Sequence, residues 1–271
     1  MTTNQTENQM SEVAKSSPVN EELVIEIKNL KKSFGTQDVL NNISLNLYKG
    51  ENLVVLGKSG TGKSVLIKCI VGLLKCDSGT ILVFGDNVTT LNRKELNELR
   101  KKIGFLFQTG ALYDSMTVKQ NIEFPLRRNK KTLSDKEIQE KITEVLENVD
   151  LADAIDKMPS QLSGGMRKRI SLARTIAADP LIMLYDEPTT GLDPVTSLEI
   201  STLINAVQKK YKTSSIIITH DIECARITAD RLIMIGEGEV IKEGTLKEFE
   251  ESTDPVISSF FKQSGKIQEL K

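Results

Sequence analysis

Apolar residues recur along this chain with changing periods, and the changes mark out its architecture. Through LVIEIKNL, and again through NISLNLYKG with Ile43, Leu45 and Leu47 two apart, apolar residues alternate with polar ones. That alternation predicts half-buried strands of an antiparallel sheet. Further on, ENLVVLG, GTILVFGD, KIGFLFQ, PLIMLYDE and SSIIITHD are short apolar runs bounded by Gly, Asp or Pro. A strand apolar on both faces suits a buried, mostly parallel sheet. Between the runs lie helical patterns. Lys63 to Leu74 is apolar nearly all round and predicts a buried helix, whereas Pro194 to Lys210 is amphipathic and opens on a proline. Proline fits a first helical turn because its missing N–H is not needed there. Strand and helix alternate, which predicts an α/β fold with crossover connections.

Three segments fall outside that alternation. Residues 1–22 are rich in Thr, Asn, Gln, Ser and Glu and read as a disordered leader with nothing to bury. The stretch from about 109 to 165 reads as a helical insertion projecting from the α/β core. Its clearest element is SDKEIQEKITEVLENVDL, in which Ser134 and Glu137 form a capping box ahead of Ile138, Ile142, Val145 and Val149. Residues 251–271 form an extension past the last core helix. There Val256, Ile257, Phe260 and Phe261 make an apolar stripe at helical spacing, to be buried on its own core or on a second subunit.

Composition narrows the classes. The 271 residues are 39% hydrophobic and 27% charged, enough apolar content for a core and too much for a disordered chain. Lys plus Arg number 36 against 37 for Asp plus Glu. The balance argues against binding nucleic acid by bulk charge. No apolar run approaches the ~20 residues of a spanning helix, and the polar N-terminus carries no secretory signal. Three scattered cysteines (Cys69, Cys76 and Cys224) make no disulfide framework, and a single histidine, His220, makes a zinc centre unexpected.

The chemistry is concentrated in a few motifs. Gly57-Lys58-Ser59-Gly60-Thr61-Gly62-Lys63-Ser64 fits G-x-x-x-x-G-K-[ST] and lies between the LVVL strand and a helix. In that context the glycines let backbone N–H groups turn inward around phosphates, and the helix N-terminus favours negative charge. Lys63 is then expected to reach the β- and γ-phosphates, and Ser64 to ligate Mg²⁺. Asp186 ends the apolar run PLIMLYDE, at the strand end where ligands collect in an open α/β sheet. It is expected to hold Mg²⁺ through water, with Glu187 beside it polarising an attacking water. His220 closes SSIIITHD at the same edge, placing Nε2 to contact the γ-phosphate. Ser–His–Asp hydrolysis finds no nucleophile-elbow motif.

Between these lies Leu162-Ser163-Gly164-Gly165-Met166, with Gln108 after IGFLF, Gly191-Leu192-Asp193 after DEPTT, and Phe34 in KKSFG. In this order and spacing the set resembles an ABC-transporter ATPase subunit across residues 23–250. The resemblance implies a P-loop NTPase core with an antiparallel β subdomain and a helical subdomain. It also implies a head-to-tail homodimer with two ATP molecules at the interface, the phosphate loop coming from one copy and LSGGM from the other. Ser163, Gly164 and Gly165 at a helix start make a second anion site, which agrees with that arrangement. By the same resemblance Phe34 stacks on adenine, Gln108 senses γ-phosphate and Mg²⁺, and Asp193 communicates across the dimer.

Finer features are similar to the ATPases of Mla-type, MCE-linked phospholipid transporters: QTGALYDSMTVKQNIEFPLR, the LSGGM variant, and STDPVISSFF. Tyr113 stands where that family commonly has Phe, and Met166 replaces the general Gln of ABC signatures. The resemblance implies phospholipid transport, an integral-membrane permease, an MCE-type lipid-binding partner, and a peripheral place on the cytoplasmic face of the inner membrane. Residues 110–124 are the candidate permease-docking surface. The alternatives are an ABC ATPase for another solute, or a soluble non-transport ABC ATPase. The latter usually carries two cassettes or a long coiled coil, and one phosphate loop without a coiled coil argues against it.

Overall fold

The computed structural model describes residues 22–129 and 133–266. Apart from its last residue, the expected leader lies outside the described residues, as do positions 267–271 of the C-terminal extension. Strands β1 (Leu23–Phe34), β2 (Gln37–Tyr48), β4 (Ser78–Val83) and β5 (Asp86–Asn87) form an antiparallel sheet in the order β2-β1-β4-β5. Strands β3 (Asn52–Leu56), β6 (Ile103–Leu106), β7 (Ile182–Asp186), β8 (Ser214–Thr219), β9 (Arg231–Gly236) and β10 (Glu239–Gly244) form the second, ordered β10-β9-β3-β8-β7-β6. All its pairs are parallel except β9–β10. This is the mixed α/β architecture of the P-loop class.

The run GTILVFGD is corrected by the structure. It becomes β4 and pairs antiparallel with β1, not with the parallel sheet. Its burial is one-sided, with Ile81 and Val83 inside and Leu82 between them half-exposed. A four-residue apolar run looks the same in sequence whichever sheet takes it. Three strands, β5, β9 and β10, lie outside the predicted set. In β1 the inward residues Ile25, Ile27 and Leu30 skip a step, because a bulge interrupts pairing with β2 and puts Asn29 at φ 50°. An extra bulge residue restores the inward phase, and asparagine tolerates the left-handed conformation.

Two apolar layers flank the parallel sheet. Leu53, Val55, Leu184, Ile216 and Ile218 face the antiparallel sheet and helix α1 (Lys63–Ile70). Val54, Leu56, Met183, Tyr185 and Ile217 face the opposite helical layer. This two-sided burial is what the continuous apolar runs require. Helix α1 stops four residues short of the expected Leu74. Gly72 at φ 63° follows it, with Gly72 N–H bonded to the Cys69 carbonyl and Leu73 N–H to that of Lys68. That pair of bonds is a Schellman ending, which only a glycine takes without strain.

Helix α2 (Arg93–Lys101) precedes β6. Beyond β6 come α3 (Val118–Asn129), α4 (Asp135–Glu147), two short 3₁₀ turns and α5 (Gly164–Ile176). The Ser134–Glu137 capping box is present at the start of α4. Ile122, Leu126, Ile138, Ile142 and Val145 join the apolar layer beneath the parallel sheet. Helices α6 (Pro194–Tyr211) and α7 (Ile222–Thr228) follow β7 and β8, and α8 (Leu246–Glu250) and α9 (Pro255–Lys266) complete the described chain. The stripe on α9 divides. Ile257 and Phe261 are buried, Phe261 lying 6.0 Å from the Phe249 ring, while Val256 stays 49% exposed. The inward pair therefore packs on its own domain.

Candidate functional site

The ends of β3, β8, β7 and β6 lie side by side, because the sheet order makes them neighbours. The residues following those ends converge on one edge. After β3 the chain turns through 57–62 into α1. Gly57 has no room for a side chain: a Cβ would lie 2.5 Å from the Ile235 carbonyl oxygen. Gly62, at φ 92°, is equally constrained, with the Val39 carbonyl oxygen 2.6 Å from any Cβ. These two glycines are required by close approach, whereas Gly60 faces open space.

Lys63 is 5% exposed and folds back over its own loop, donating to the carbonyls of Gly57 (2.7 Å) and Lys58 (2.8 Å). Its ammonium lies 3.8 Å from Glu187 Oε1. Burial lowers its pKa, opposed by the carboxylates of Glu187 and Asp186. Ser64 Oγ donates to Asp186 Oδ1 at 2.8 Å, joining the start of α1 to the end of β7. A hydroxyl and a buried carboxylate this close are hard oxygen donors, which fit a small divalent cation.

Glu187 sits at φ 51°, in the left-handed region, with its N–H bonded to the Ile218 carbonyl at 2.9 Å. A non-glycine residue persists there only where its surroundings hold it. Its Oε2 accepts from Thr190 Oγ1 at 3.1 Å and lies 2.8 Å from His220 Nδ1. A carboxylate can only accept, so Nδ1 carries the hydrogen and Nε2 is left for another partner. The His220 ring is half-exposed.

Other residues singled out from sequence stand apart from this group. Gln108 lies at the end of β6, exposed. Among the described residues no hydrogen bond joins its side chain to Ser64 or Asp186, and its carbonyl accepts from Lys168 Nζ at 2.5 Å. Phe34 is 48% exposed at the tip of the β1–β2 hairpin, with Lys32 Nζ 5.2 Å from its ring centre. Ser163 caps α5, its Oγ accepting from Met166 N–H at 3.2 Å. A Cβ on Gly165 would meet Thr196 Cγ2 at 2.5 Å, so that glycine also lets α5 lie against α6. Asp193 caps α6 and holds Thr196 Oγ1 at 2.5 Å; these bonds lower its carboxyl pKa.

Sequence reading missed two partners of Glu187. Thr190 supports the carboxylate, and Lys168 donates to the Glu187 carbonyl at 3.3 Å. Burial pushes the Lys168 ammonium down to about 8, against the pull of Asp186 and Glu187. Lys168 stands in the run Arg167-Lys168-Arg169, directly after LSGGM. The available signal was its spacing from Leu172 and Thr175, three to four residues at a time along the inward face of α5.

Residues 40–190 match the ABC transporter family model. The methionine import ATP-binding protein MetN of Rhizobium johnstonii is 39% identical over 231 residues, a match covering 85% of this chain and 63% of that protein. The intermembrane phospholipid transport system ATP-binding protein MlaF of Haemophilus influenzae is 38% identical over 239 residues, covering 88% and 90%. Among solved structures, a dimeric ATP-binding cassette in a post-hydrolysis state bound to ADP and Pi superposes with a TM-score of 0.75 at 33% identity. That alignment covers 82% of this chain and 98% of the other.

Proposed function

The chain belongs to the ABC transporter family as an ATP-binding, ATP-hydrolysing subunit, and from that premise we propose that it energises a membrane phospholipid transporter, working as a homodimer. The observation that carries the hydrolytic assignment is the Glu187 carboxylate, held between His220 Nδ1 and the Lys63 ammonium at the mouth of the phosphate loop. In this reading Glu187 accepts the proton of the attacking water. Lys63 exchanges its loop carbonyls for the β- and γ-phosphate oxygens, and His220 turns Nε2 to the γ-phosphate side. The loop 57–62 cradles the phosphates with backbone N–H groups, and Phe34, exposed at its hairpin tip, stacks on adenine. Mg²⁺, held by Ser64, Asp186 and Gln108, would supply charge neutralisation at the β- and γ-phosphates.

Ser163, Gly164 and Gly165 lie on a different element from the phosphate loop. A second copy, turned head to tail, offers them to the γ-phosphate as a further anion site. Exposed Val195 (67%) and Leu198 (54%) beside the Asp193 cap supply apolar surface for such a contact. Among the described residues no helix is long and apolar enough to cross a membrane, so the pathway belongs to a permease in this reading. Tyr113 and Phe124 form its docking surface: both are exposed, their rings 5.3 Å apart edge to face. Buried Asn121 braces that loop by hydrogen bonds to the backbone of Tyr113, Met116 and Thr117. The subunit would then lie on the cytoplasmic face of the inner membrane, with an MCE-type lipid-binding protein in the assembly.

The phospholipid assignment rests on the similarity to MlaF, which extends over nearly that whole protein. The MetN similarity favours a small solute instead. Reconstitution with a candidate membrane subunit decides between them. Mg·ATP should drive movement of labelled phospholipid between vesicles, whereas uptake of labelled methionine without lipid movement would overturn the phospholipid reading.

A further inference from the structure

Two cations of α5, Lys168 and Arg174, are directed at backbone carbonyls. Lys168 is 6% exposed and donates to the carbonyls of Gln108 (2.5 Å) and Glu187 (3.3 Å), so a single ammonium ties two catalytic loops to one helix. Two turns along, Arg174 donates to the carbonyls of Gly110 (3.1 Å) and Ala111 (2.7 Å). Gly110, at φ 77°, lies so near Ser171 that a Cβ would come within 2.6 Å of its hydroxyl. The loop after Gln108 is thus fastened along α5, the helix that Ser163 caps.

An ammonium taken out of water is costly unless its donors are satisfied, so its placement here needs a reason. The backbone it meets supplies one. Glu187 sits in the left-handed region, where a non-glycine residue must be held. Its N–H is tied to the Ile218 carbonyl from β8, and its C=O faces Lys168 from α5. The peptide is therefore fixed from both sides, and one of those sides is the helix proposed to meet the partner's nucleotide.

We infer that Lys168 is a positioning residue for hydrolysis: it sets the Glu187 and Gln108 peptides against α5, so that the orientation of the base follows the position of the signature helix. This rests on the assignment of Glu187 as the base. Removing the ammonium leaves every nucleotide-contacting side chain in place and frees the peptide that aims one of them. A small misplacement of a reacting group costs rate more than binding.

The test uses the full chain with Lys168→Met, Lys168→Arg, Lys168→Gln and Glu187→Gln. Steady-state ATPase kinetics, titration with a fluorescent ATP analogue and amide hydrogen exchange are measured on each. Lys168→Met should lower kcat on the order of ten-fold or more, with KM and nucleotide affinity within about two-fold. Exchange should quicken in 107–112 and 186–191 and stay unchanged elsewhere. Lys168→Arg, which keeps charge and donors, should recover most of the rate. If the methionine variant does not fold, Lys168→Gln carries the comparison with an intermediate kcat and the same two exchange segments. A Met or Gln variant at wild-type kcat overturns the inference, as does equal slowing of Met and Arg variants with exchange raised throughout α5. Wild-type turnover in Glu187→Gln would instead remove the base assignment itself.

Discussion

Glu187 illustrates how much one residue here depends on its neighbours. Its carboxylate is directed by His220 and Thr190, its amide by β8 and its carbonyl by α5. The residue types were legible in the sequence: the loop glycines lead from a strand to Lys63 and Ser64 at a helix start, and Asp186, Glu187 and His220 stand at strand ends, where local pattern announces them. Lys168 and Thr190 were not. A lysine inside a basic run looks solvated until tertiary packing buries it, and no local signal records which carbonyls it will meet. Ser163 and Met166 make a second residue-scale comparison. The structure engages Met166 through its backbone N–H, and Ser163 through its hydroxyl. Met166→Gln should therefore leave ATPase activity within a few-fold, because the proposed anion site would use Ser163 and backbone N–H groups. Ser163→Arg should abolish it by filling that site. Steady-state rates of the two variants check this, and a Met166→Gln variant as inactive as Ser163→Arg would give the methionine side chain a role.

At the scale of elements, periodicity predicted the helices better than it assigned the strands to sheets. The capping box of α4 and the proline-led start of α6 are local devices and appear where the sequence puts them. GTILVFGD did not carry its own sheet assignment, since pairing with β1 is decided by residues about fifty positions away. The early end of α1 was present in Gly72, but the apolar Leu73 and Leu74 beyond it masked the stop. The α9 helix gives a measurable consequence. Ile257 and Phe261 are buried in the core cluster that holds Phe249, so Phe261→Ala should destabilise the domain by about 3 kcal/mol and Ile257→Ala by about 2 kcal/mol or more. Val256→Ala, at an exposed position, should stay within about 0.5 kcal/mol of wild type. Urea unfolding of the three variants checks the ranking. Equal, negligible losses at all three would return the stripe to an intermolecular role.

For the whole molecule, the arrangement is one of separated halves. The phosphate loop, Asp186, Glu187 and His220 share one edge of the parallel sheet, while Ser163 leads a different helix on the helical layer. In the proposed reading each chain carries one phosphate loop and two anion-seeking surfaces, and pairing of two copies would satisfy both. The near-zero net charge means that neither self-association nor membrane attachment follows from bulk electrostatics. The contacts must be specific. The measurement that tests this account most directly is the light-scattering mass of Glu187→Gln with and without Mg·ATP. Replacing the carboxylate with an amide removes the proton acceptor, which should cost ~10²–10³ in turnover and trap bound nucleotide. The account predicts the mass of one chain without nucleotide and of two chains, retaining two ATP, when Mg·ATP is present. A single-chain mass with ATP bound and hydrolysis at the wild-type rate would contradict it.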